Sequence, residues 1–297
     1  MMQRALIAGC GYVGTALARE LGADGVEVLA LRRSAQAALP GVHWLAADLG
    51  DAAQLERALA AHAGAREVDT VFFTAAASSH DEAGYRAIYV EAQRNLIAAL
   101  GALGAAPRRY LFTSSTGVYG QTDGSLVDET SPTEPTAFSG RVMCEAEALL
   151  RELAWPSVAL RLGGIYGPGR TRLIESVRRG SVTLPRETLY TNRIHRDDCA
   201  GALRHLAGVA HDGGVLAING VDAEPAPQAE VLAFIAALCG VPAPEPSEAA
   251  PAARARGGNK RVSSARLLAS GYTLRYPSYR EGYRALVAAM NGSNDEA

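Results

Sequence analysis

Short apolar runs alternate with stretches of helical periodicity through the first 220 residues of the chain. Runs rich in Val, Ile, Leu and Phe predict strands at 4–9, 26–33, 68–76, 108–115, 157–167 and 213–220. Amphipathic spacing predicts helices between them, at 15–25, 51–64, 85–104 and 140–153. This alternation favours an α/β fold, a doubly wound parallel Rossmann sheet.

The pattern loosens after about residue 165, which suggests a second, smaller part. We expect residues 1–165 to form a dinucleotide-binding domain to which 185–220 returns, and 166–184 with 221–290 to form a smaller substrate-binding part. Residues 241–260 are rich in Pro and Ala and predict a mobile loop, where Lys260 could meet an anion. Residues 291–297 are expected to fray.

Composition and charge exclude some classes of binding partner. The chain has 297 residues, 48% of them hydrophobic, and a formal net charge of −2, so neither nucleic acid nor a membrane surface is an expected partner. No apolar run approaches the roughly 20 residues of a membrane span. Four dispersed cysteines without a CxxC pair suit a reducing cytoplasm and predict no metal site.

The segment GCGYVG fits the pattern G-x-G-x-x-G at the end of the first strand. Glycines there permit a tight turn and a close approach of the backbone to a pyrophosphate, which the N-terminus of the next helix attracts. The predicted cofactor contacts are Gly9, Cys10, Gly11, Tyr12, Val13 and Gly14. The alternative is a glycine turn that binds nothing.

The end of the second strand carries Arg32, Arg33 and Ser34 instead of an acidic residue. An acidic side chain would bind the adenosine ribose of NAD, whereas arginine pairs with the 2′-phosphate of NADP. The sequence therefore favours NADP over NAD. Two solvated surface arginines are the alternative.

Two further strand ends complete the predicted cofactor site. Asp48 and Leu49 follow a third strand, where the aspartate can accept a hydrogen bond from adenine or instead cap the next helix. Small side chains end the fourth strand, at Ala75, Ala76 and Ala77, and leave room for the dinucleotide or simply pack in the core.

Taken together, these motifs resemble the extended short-chain dehydrogenase/reductases, which include the NAD-dependent epimerase/dehydratases. The resemblance rests on GCGYVG, on TSSTGVYG after the fifth strand, on LRLGGIYGPGR at 160–170 and on IHRDD at 194–198. It implies that the strand ends at Thr113, Ser114, Gly164 and Ile165 also contact the cofactor.

The same resemblance implies a Ser/Thr, a Tyr and a Lys that together move a proton. Ser115 matches the first. If Glu145 matches the family's helix glutamate, the tyrosine and lysine positions hold Ala137 and Arg141. Arg141 can still bind ribose hydroxyls, but it is not interchangeable with lysine. Tyr119 and Tyr166 are candidate replacement acids, or else packing residues.

The family also implies a second substrate, often a nucleotide sugar, bound beside the nicotinamide. The candidate contacts for an anionic small molecule are Ser139, Arg170, Arg172, Asn192, Arg193 and His195. Surface arginines and a structural histidine are the alternatives. The resemblance also suggests a homodimer formed through helices 85–104 and 140–153.

Three functions fit this sequence. The first is an NADP-dependent oxidoreductase or epimerase with a non-standard proton donor. The second is a redox sensor that binds NADP without turning it over, and the third is an interaction protein with a vestigial site. The intact glycine motif argues against the third.

Overall fold

The computed structural model describes residues 2–34, 36–211, 213–247 and 258–292. Within those ranges the strands are β1 Arg4–Ala8, β2 Glu27–Arg32, β3 Val42–Ala46, β4 Thr70–Phe73, β5 Arg109–Ser115, β6 Leu126–Val127, β7 Ser157–Leu162, β8 Gly164–Tyr166, β9 Tyr190–Thr191, β10 Arg193–His195, β11 Val215–Gly220, β12 Ala226–Pro227 and β13 Arg261–Val262.

The helices of the same ranges are α1 Tyr12–Ala23, α2 Ala52–Ala60, α3 Glu82–Arg86, α4 Ala92–Ala102, α5 Phe138–Leu150, α6 Arg172–Arg178, α7 Arg196–Gly208, α8 Gln228–Cys239, α9 Ala265–Ala269 and α10 Tyr279–Gly292. Short 3-10 turns occupy Ala63–Glu67 and Thr116–Val118. None of these helices has the length and apolarity that crossing a membrane requires.

Seven strands form one parallel sheet in the order β11-β7-β5-β4-β1-β2-β3. The predicted α/β Rossmann architecture is confirmed. The chain runs outward from β1 in one direction and from β4 in the other, so the carboxyl ends of these two strands flank the switch point of the fold. Ligands of open α/β sheets bind at that point.

The core has three clusters of buried side chains. Two of them pack on opposite faces of the sheet, around Leu6 and Phe112 on one face and Leu17 and Leu203 on the other. The third draws on Tyr166, α6, α8 and α10. Its members come from the stretches expected to form the smaller part, although the domain boundaries themselves stay a prediction.

The predicted helix 85–104 is interrupted. The chain forms α3, then a π turn at Ala87–Glu91, and then α4. In the π turn the Ala92 N–H bonds to the Ala87 carbonyl, five residues back. The sequence pattern that predicted one continuous helix did not indicate this turn.

Arg161 on β7 and Glu147 on α5 form a buried ion pair beneath the switch-point edge. Their Nη2 and Oε2 atoms lie 2.7 Å apart, and each side chain is 7% exposed. The Ser114 hydroxyl donates to the same glutamate at 2.6 Å, and Arg161 Nη1 donates to the Tyr119 hydroxyl at 3.0 Å. These bonds hold α5 against the sheet in one rotation.

Removing the cation from this pair should be costly, because Glu147 would stay buried without its partner. We expect Arg161→Met to lower the free energy of unfolding by about 3–5 kcal/mol in urea denaturation. The matched control is Arg94→Met, which breaks the exposed pair with Glu91 and should cost at most about 1 kcal/mol. Equal losses in the two variants would contradict the role given to the buried pair.

Asp222 lies beside the third cluster and is 1% exposed. Its Oδ1 accepts from the Glu224 N–H at 3.2 Å, while Oδ2 has no partner among the described residues. Burial raises the pKa of Asp222 to about 8, although the backbone bond and Arg193 favour its charged form. The folded chain therefore holds this carboxyl protonated at neutral pH.

Because the folded pKa of Asp222 exceeds the ordinary value, the stability that its proton provides is lost as pH rises toward 8. We expect the wild type to lose about 1 kcal/mol per pH unit more than Asp222→Asn between pH 6.5 and 8. His195, whose pKa burial lowers to about 4, is present in both proteins, so its contribution to the pH dependence cancels in this comparison. Urea denaturation at both pH values measures the difference, and parallel losses would contradict it.

Of the segments expected to be mobile, residues 248–257 and 293–297 lie outside the described residues. The C-terminal end of the predicted loop is described, and it contradicts the expectation that Lys260 meets an anion. Lys260 is 2% exposed, and its ammonium donates to the Tyr119 carbonyl at 2.7 Å. Burial lowers the pKa of Lys260 to about 8.

Candidate functional site

A cleft of about 840 Å³ opens at the carboxyl edge of the sheet. It runs from the ends of β1 and β2, across the switch point, to the end of β5, the start of α5 and β8. Predicted residues that line it are Gly9, Gly11, Tyr12, Val13, Arg32, Arg33, Ser34, Asp48, Leu49, Ala75, Ala76, Thr113, Ser114, Ser115, Ser139, Gly164, Ile165 and Arg170. A long cleft across the switch point suits a dinucleotide.

The glycine loop forms the floor of the cleft. Gly9 has a φ of +79°, and a Cβ there would lie 2.3 Å from the Cα of Ala75, so the turn requires glycine. Helix α1 begins at Tyr12, and its first N–H groups are oriented as an anion would require. Two predicted members of the loop do not line the cleft, because Cys10 and Gly14 are buried against the core.

The end of β2 presents its cations to the cleft. Arg32 donates to the Cys10 carbonyl at 3.3 Å and lies 3.5 Å from the Ser34 hydroxyl. Its Nε atom is buried without a partner among the described residues. Arg33 and Ser34 are exposed at the cleft wall. This set has spare donors for an anionic group near the adenosine end.

Only some of the residues predicted to contact the cofactor at the ends of the third and fourth strands line the cleft. Asp48 lines the cleft, but its Oδ1 accepts from the Gly50 N–H at 2.9 Å, and Asp51 is the residue that caps α2. Ala75 and Ala76 line the cleft as well. Ala77 does not, and its N–H donates to the Tyr89 hydroxyl at 3.4 Å.

The three hydroxyl groups at the end of β5 make different hydrogen bonds. The Thr113 hydroxyl donates to the Phe73 carbonyl at 3.1 Å, and Ser114 is bound to Glu147. The Ser115 hydroxyl accepts from the Gly117 N–H at 3.0 Å and stays partly exposed in the cleft. Ser115 is therefore the hydroxyl of this strand that can meet a bound molecule.

The first turns of α5 place Arg141 away from the cleft lining, contrary to its expected cofactor contact. Ser139 and Met143 line the cleft, four residues apart on one helix face, with Glu147 below them. Ala137 is the residue before the helix. Arg141 is 54% exposed, donates to the Thr136 carbonyl and lies 3.8 Å from Glu82. The buried glutamate of α5 is Glu147, whereas Glu145 pairs with Arg86 nearer the surface.

The two candidate replacement acids lie outside the cleft lining. The buried Tyr119 hydroxyl donates to Asn219 Oδ1 at 2.7 Å, and burial raises its pKa. Tyr166 stacks on Tyr283 with ring centroids 4.7 Å apart and lies 3.4 Å from the Ser278 carbonyl. Burial raises the pKa of Tyr166 as well. Both are core tyrosines in this geometry.

Among the predicted substrate residues, Arg170 joins Ser139 in the cleft. Its guanidinium lies 4.2 Å from the ring centroid of Tyr12, and the Tyr12 hydroxyl donates to the Pro168 carbonyl at 2.9 Å. These contacts connect the glycine loop to the loop after β8 across the cleft. They leave Arg170 exposed enough to meet an anion.

The remaining substrate candidates have structural positions. Asn192 donates to the Lys260 carbonyl at 3.0 Å and accepts from the Val262 N–H at 2.7 Å. Arg193 donates to the Tyr283 hydroxyl at 2.9 Å. His195 is 2% exposed and caps α7, and Arg172 is exposed away from the cleft lining.

Three cleft residues were missed by the sequence reasoning as candidates for chemistry: His80, Tyr85 and Tyr89. They follow β4 on a loop and on the interrupted helix. An uncommon stretch of two tyrosines and a histidine after a predicted strand is the signal that could have drawn attention to them.

Away from the cleft, Glu27, His43 and His62 bring ligand atoms within 4.8 Å of one another. The contacts disfavour a metal centre. Arg4 already pairs with Glu27 at 2.7 Å. His62 Nδ1 accepts from the Gly64 N–H at 3.2 Å, so in the neutral ring Nε2 carries the proton.

Comparisons with known proteins identify the family of this chain. The model of the NAD dependent epimerase/dehydratase family matches residues 5–207. A solved structure from Methylobacillus flagellatus assigned to NAD-dependent epimerase/dehydratases is 40% identical. It superposes with a TM-score of 0.81 and covers 98% of this chain and 100% of its own.

Curated relatives match over different lengths. Protein YeeZ of Escherichia coli (strain K12) is 42% identical over 101 residues, 33% of this chain and only 35% of that protein. A dTDP-6-deoxy-L-talose 4-dehydrogenase (NAD(P)(+)) of Kitasatospora kifunensis is 33% identical over 56% of this chain and 53% of its own.

A 3-diazoavenalumate denitrifying reductase of a Streptomyces species is 30% identical over 94% of this chain and 98% of its own. Three observations lead to one assignment. They are the full-length similarity to this reductase, the family match over more than half of the chain, and the cleft at the switch point whose floor is the glycine loop. The chain belongs to the NAD-dependent epimerase/dehydratase family.

Proposed function

We propose that the protein is an NADP-preferring oxidoreductase or epimerase of this family that acts on an anionic small molecule. The observation that carries the proposal is the continuity of the cleft. One wall joins the glycine loop, Arg32 and Arg33, and Ser115 beside α5. Arg32 and Arg33 suit the adenosine end of one dinucleotide, the glycine loop suits its pyrophosphate, and Ser115 suits its nicotinamide end.

The preference for NADP rests on charge at the end of β2. Arg33 and Ser34 are exposed there, and the partnerless Nε of Arg32 is a buried donor among the described residues. A 2′-phosphate would accept from these groups, whereas the ribose hydroxyl of NAD lacks the charge that arginine recognises. When bound, the nicotinamide supplies or accepts the hydride of the reaction.

The second substrate would lie between Ser139 and Arg170, beyond the nicotinamide end. Arginine at this wall favours a phosphate or carboxylate. A nucleotide sugar fits that chemistry and is the substrate class in the name of the dTDP-6-deoxy-L-talose 4-dehydrogenase. An aromatic carboxylate fits it equally well.

A specific observation favours a second candidate, an NADP-binding redox sensor without turnover. Ser139 and Met143 occupy the cleft-facing positions of α5, and neither is a ready proton donor. A sensor would bind the oxidised and reduced cofactors with different affinities, since a ligand shifts an equilibrium only by differential binding. The cytoplasmic location and the homodimer remain predictions.

Calorimetric titration of NADP, NADPH, NAD and NADH tests the cofactor assignment. We expect Arg33→Ala to weaken NADP binding about tenfold, the equivalent of about 1.4 kcal/mol, and to leave NAD binding unchanged. Only the 2′-phosphate distinguishes the two ligands at this position.

The matched control is Arg151→Ala, an exposed arginine at the end of α5 that does not line the cleft. It should alter neither affinity. Failure of all four nucleotides to bind the wild type would contradict the proposed function as a whole.

A further inference from the structure

Four rings form an aromatic wall at the nicotinamide end of the cleft: His80, Tyr85, Tyr89 and Phe138. Tyr85 is at the centre, with its ring centroid 5.2 Å from Tyr89 and 5.5 Å from Phe138. His80 contacts Tyr85 and Phe138 edge-on. The Tyr85 hydroxyl lies 3.3 Å from Nδ1 of His80. The wall thus contains a hydrogen-bonded phenol–imidazole pair.

Local backbone structure brings this pair together. Asp81 caps α3 by accepting from the Gly84 N–H at 2.8 Å, so the helix begins directly after His80. A Cβ at Gly84 would lie 1.7 Å from the Ser79 hydroxyl, so glycine lets the preceding loop fold onto the helix.

The π turn follows α3 immediately and keeps Ile88 and Tyr89 in the cleft lining. Turns of this kind are frequent at functional sites. The helix is therefore built differently where Ile88 and Tyr89 border the cleft.

The wall borders the start of α5, where the family's proton donor is missing. Phe138 is the first residue of α5, and the next residue, Ser139, lines the cleft. A serine hydroxyl is a weak acid and Met143 carries no proton to give. The chemistry of a carbonyl or alcohol substrate therefore needs a proton donor from another element.

Few other described cleft residues can supply it. The Tyr12 hydroxyl is at the glycine loop and donates to Pro168. The Tyr89 hydroxyl already contacts the Ala77 N–H, and burial raises its pKa. Tyr85 is partly exposed, and its neighbour His80 is open to solvent.

We propose that Tyr85, paired with His80, is the proton donor and acceptor of this cleft, for a carbonyl or alcohol group on a ring-shaped substrate seated against the aromatic wall. This inference rests on the proposed function. Tyr85 would be the catalytic residue and His80 the residue that positions and reprotonates it.

In the reducing direction a hydride from the reduced cofactor goes to the carbonyl carbon. The carbonyl oxygen takes the phenolic proton as the O–H bond of Tyr85 breaks. The Tyr85 phenolate then takes the Nδ1 proton of His80 as solvent protonates Nε2 of the same exposed ring, so the imidazole stays neutral. Oxidation of an alcohol reverses each transfer. Tyrosine and histidine are established donors in such steps.

The first test follows the histidine nitrogens of the full chain by NMR. NADP should shift the Nδ1 resonance of His80, whereas adenosine 2′,5′-bisphosphate, which lacks nicotinamide, should not. His205 is the internal control, because it binds Ser270 and does not line the cleft. Tyr85→Phe should move the His80 resonance without ligand, since it removes the hydroxyl partner.

The second test measures NADPH oxidation with 9,10-phenanthrenequinone, a planar dicarbonyl probe. Tyr85→Phe should lower kcat about 100-fold, within the range for general acids, and leave KM within about threefold. His80→Gln should lower kcat about tenfold. Tyr190→Phe, a tyrosine in β9 away from the cleft lining, should have no effect.

Two results would overturn the proposal: a Tyr85→Phe variant with the kcat of the wild type, or a His80 resonance that stays fixed while calorimetry shows NADP bound. A wild type that binds NADPH but never oxidises it with the quinone would overturn the assignment of a carbonyl substrate. Absence of all nucleotide binding would instead count against the proposed function, so the two failures are distinguishable.

Discussion

The buried ion pair between Glu147 and Arg161 determines how α5 is oriented where it borders the cleft. A charge at 7% exposure is stable only with a partner, so α5 cannot rotate without separating the pair. Ser114 strengthens the constraint from the neighbouring strand. One turn before Glu147, the same rotation presents Met143 to the cleft, and two turns before it presents Ser139.

This constraint explains why the sequence could identify the family and still misplace the residues of α5 that line the cleft. Glu145 and Glu147 are two residues apart, and both are compatible with a glutamate that follows the motif. Burial separates them, because Glu145 pairs with Arg86 at the half-exposed surface while Glu147 binds inside. The spacing of residues along the sequence does not indicate which of these two glutamates is buried.

The fold itself was predictable because its signals are local. Apolar runs mark the strands, glycines mark the first turn, and the order of elements permits few topologies. The arginines and serine at the end of β2 also followed from their position after a strand. Tyr166 and His195 could not be placed in this way, because their burial depends on packing against α10 and on the chain near Tyr276, more than 80 residues later. The aromatic wall was hidden for a similar reason, because Phe138 reaches Tyr85 from a different helix.

The position of Lys260 has a practical consequence. It is the sole lysine of the chain and its ammonium is buried against the Tyr119 carbonyl. A reagent that acylates lysine amines therefore has no exposed lysine to meet while this contact is intact. Acylation of Lys260 reports that its segment has separated from the Tyr119 carbonyl. Mass spectrometry of the acylated chain can thus count local opening events directly, without an added label or a mutation.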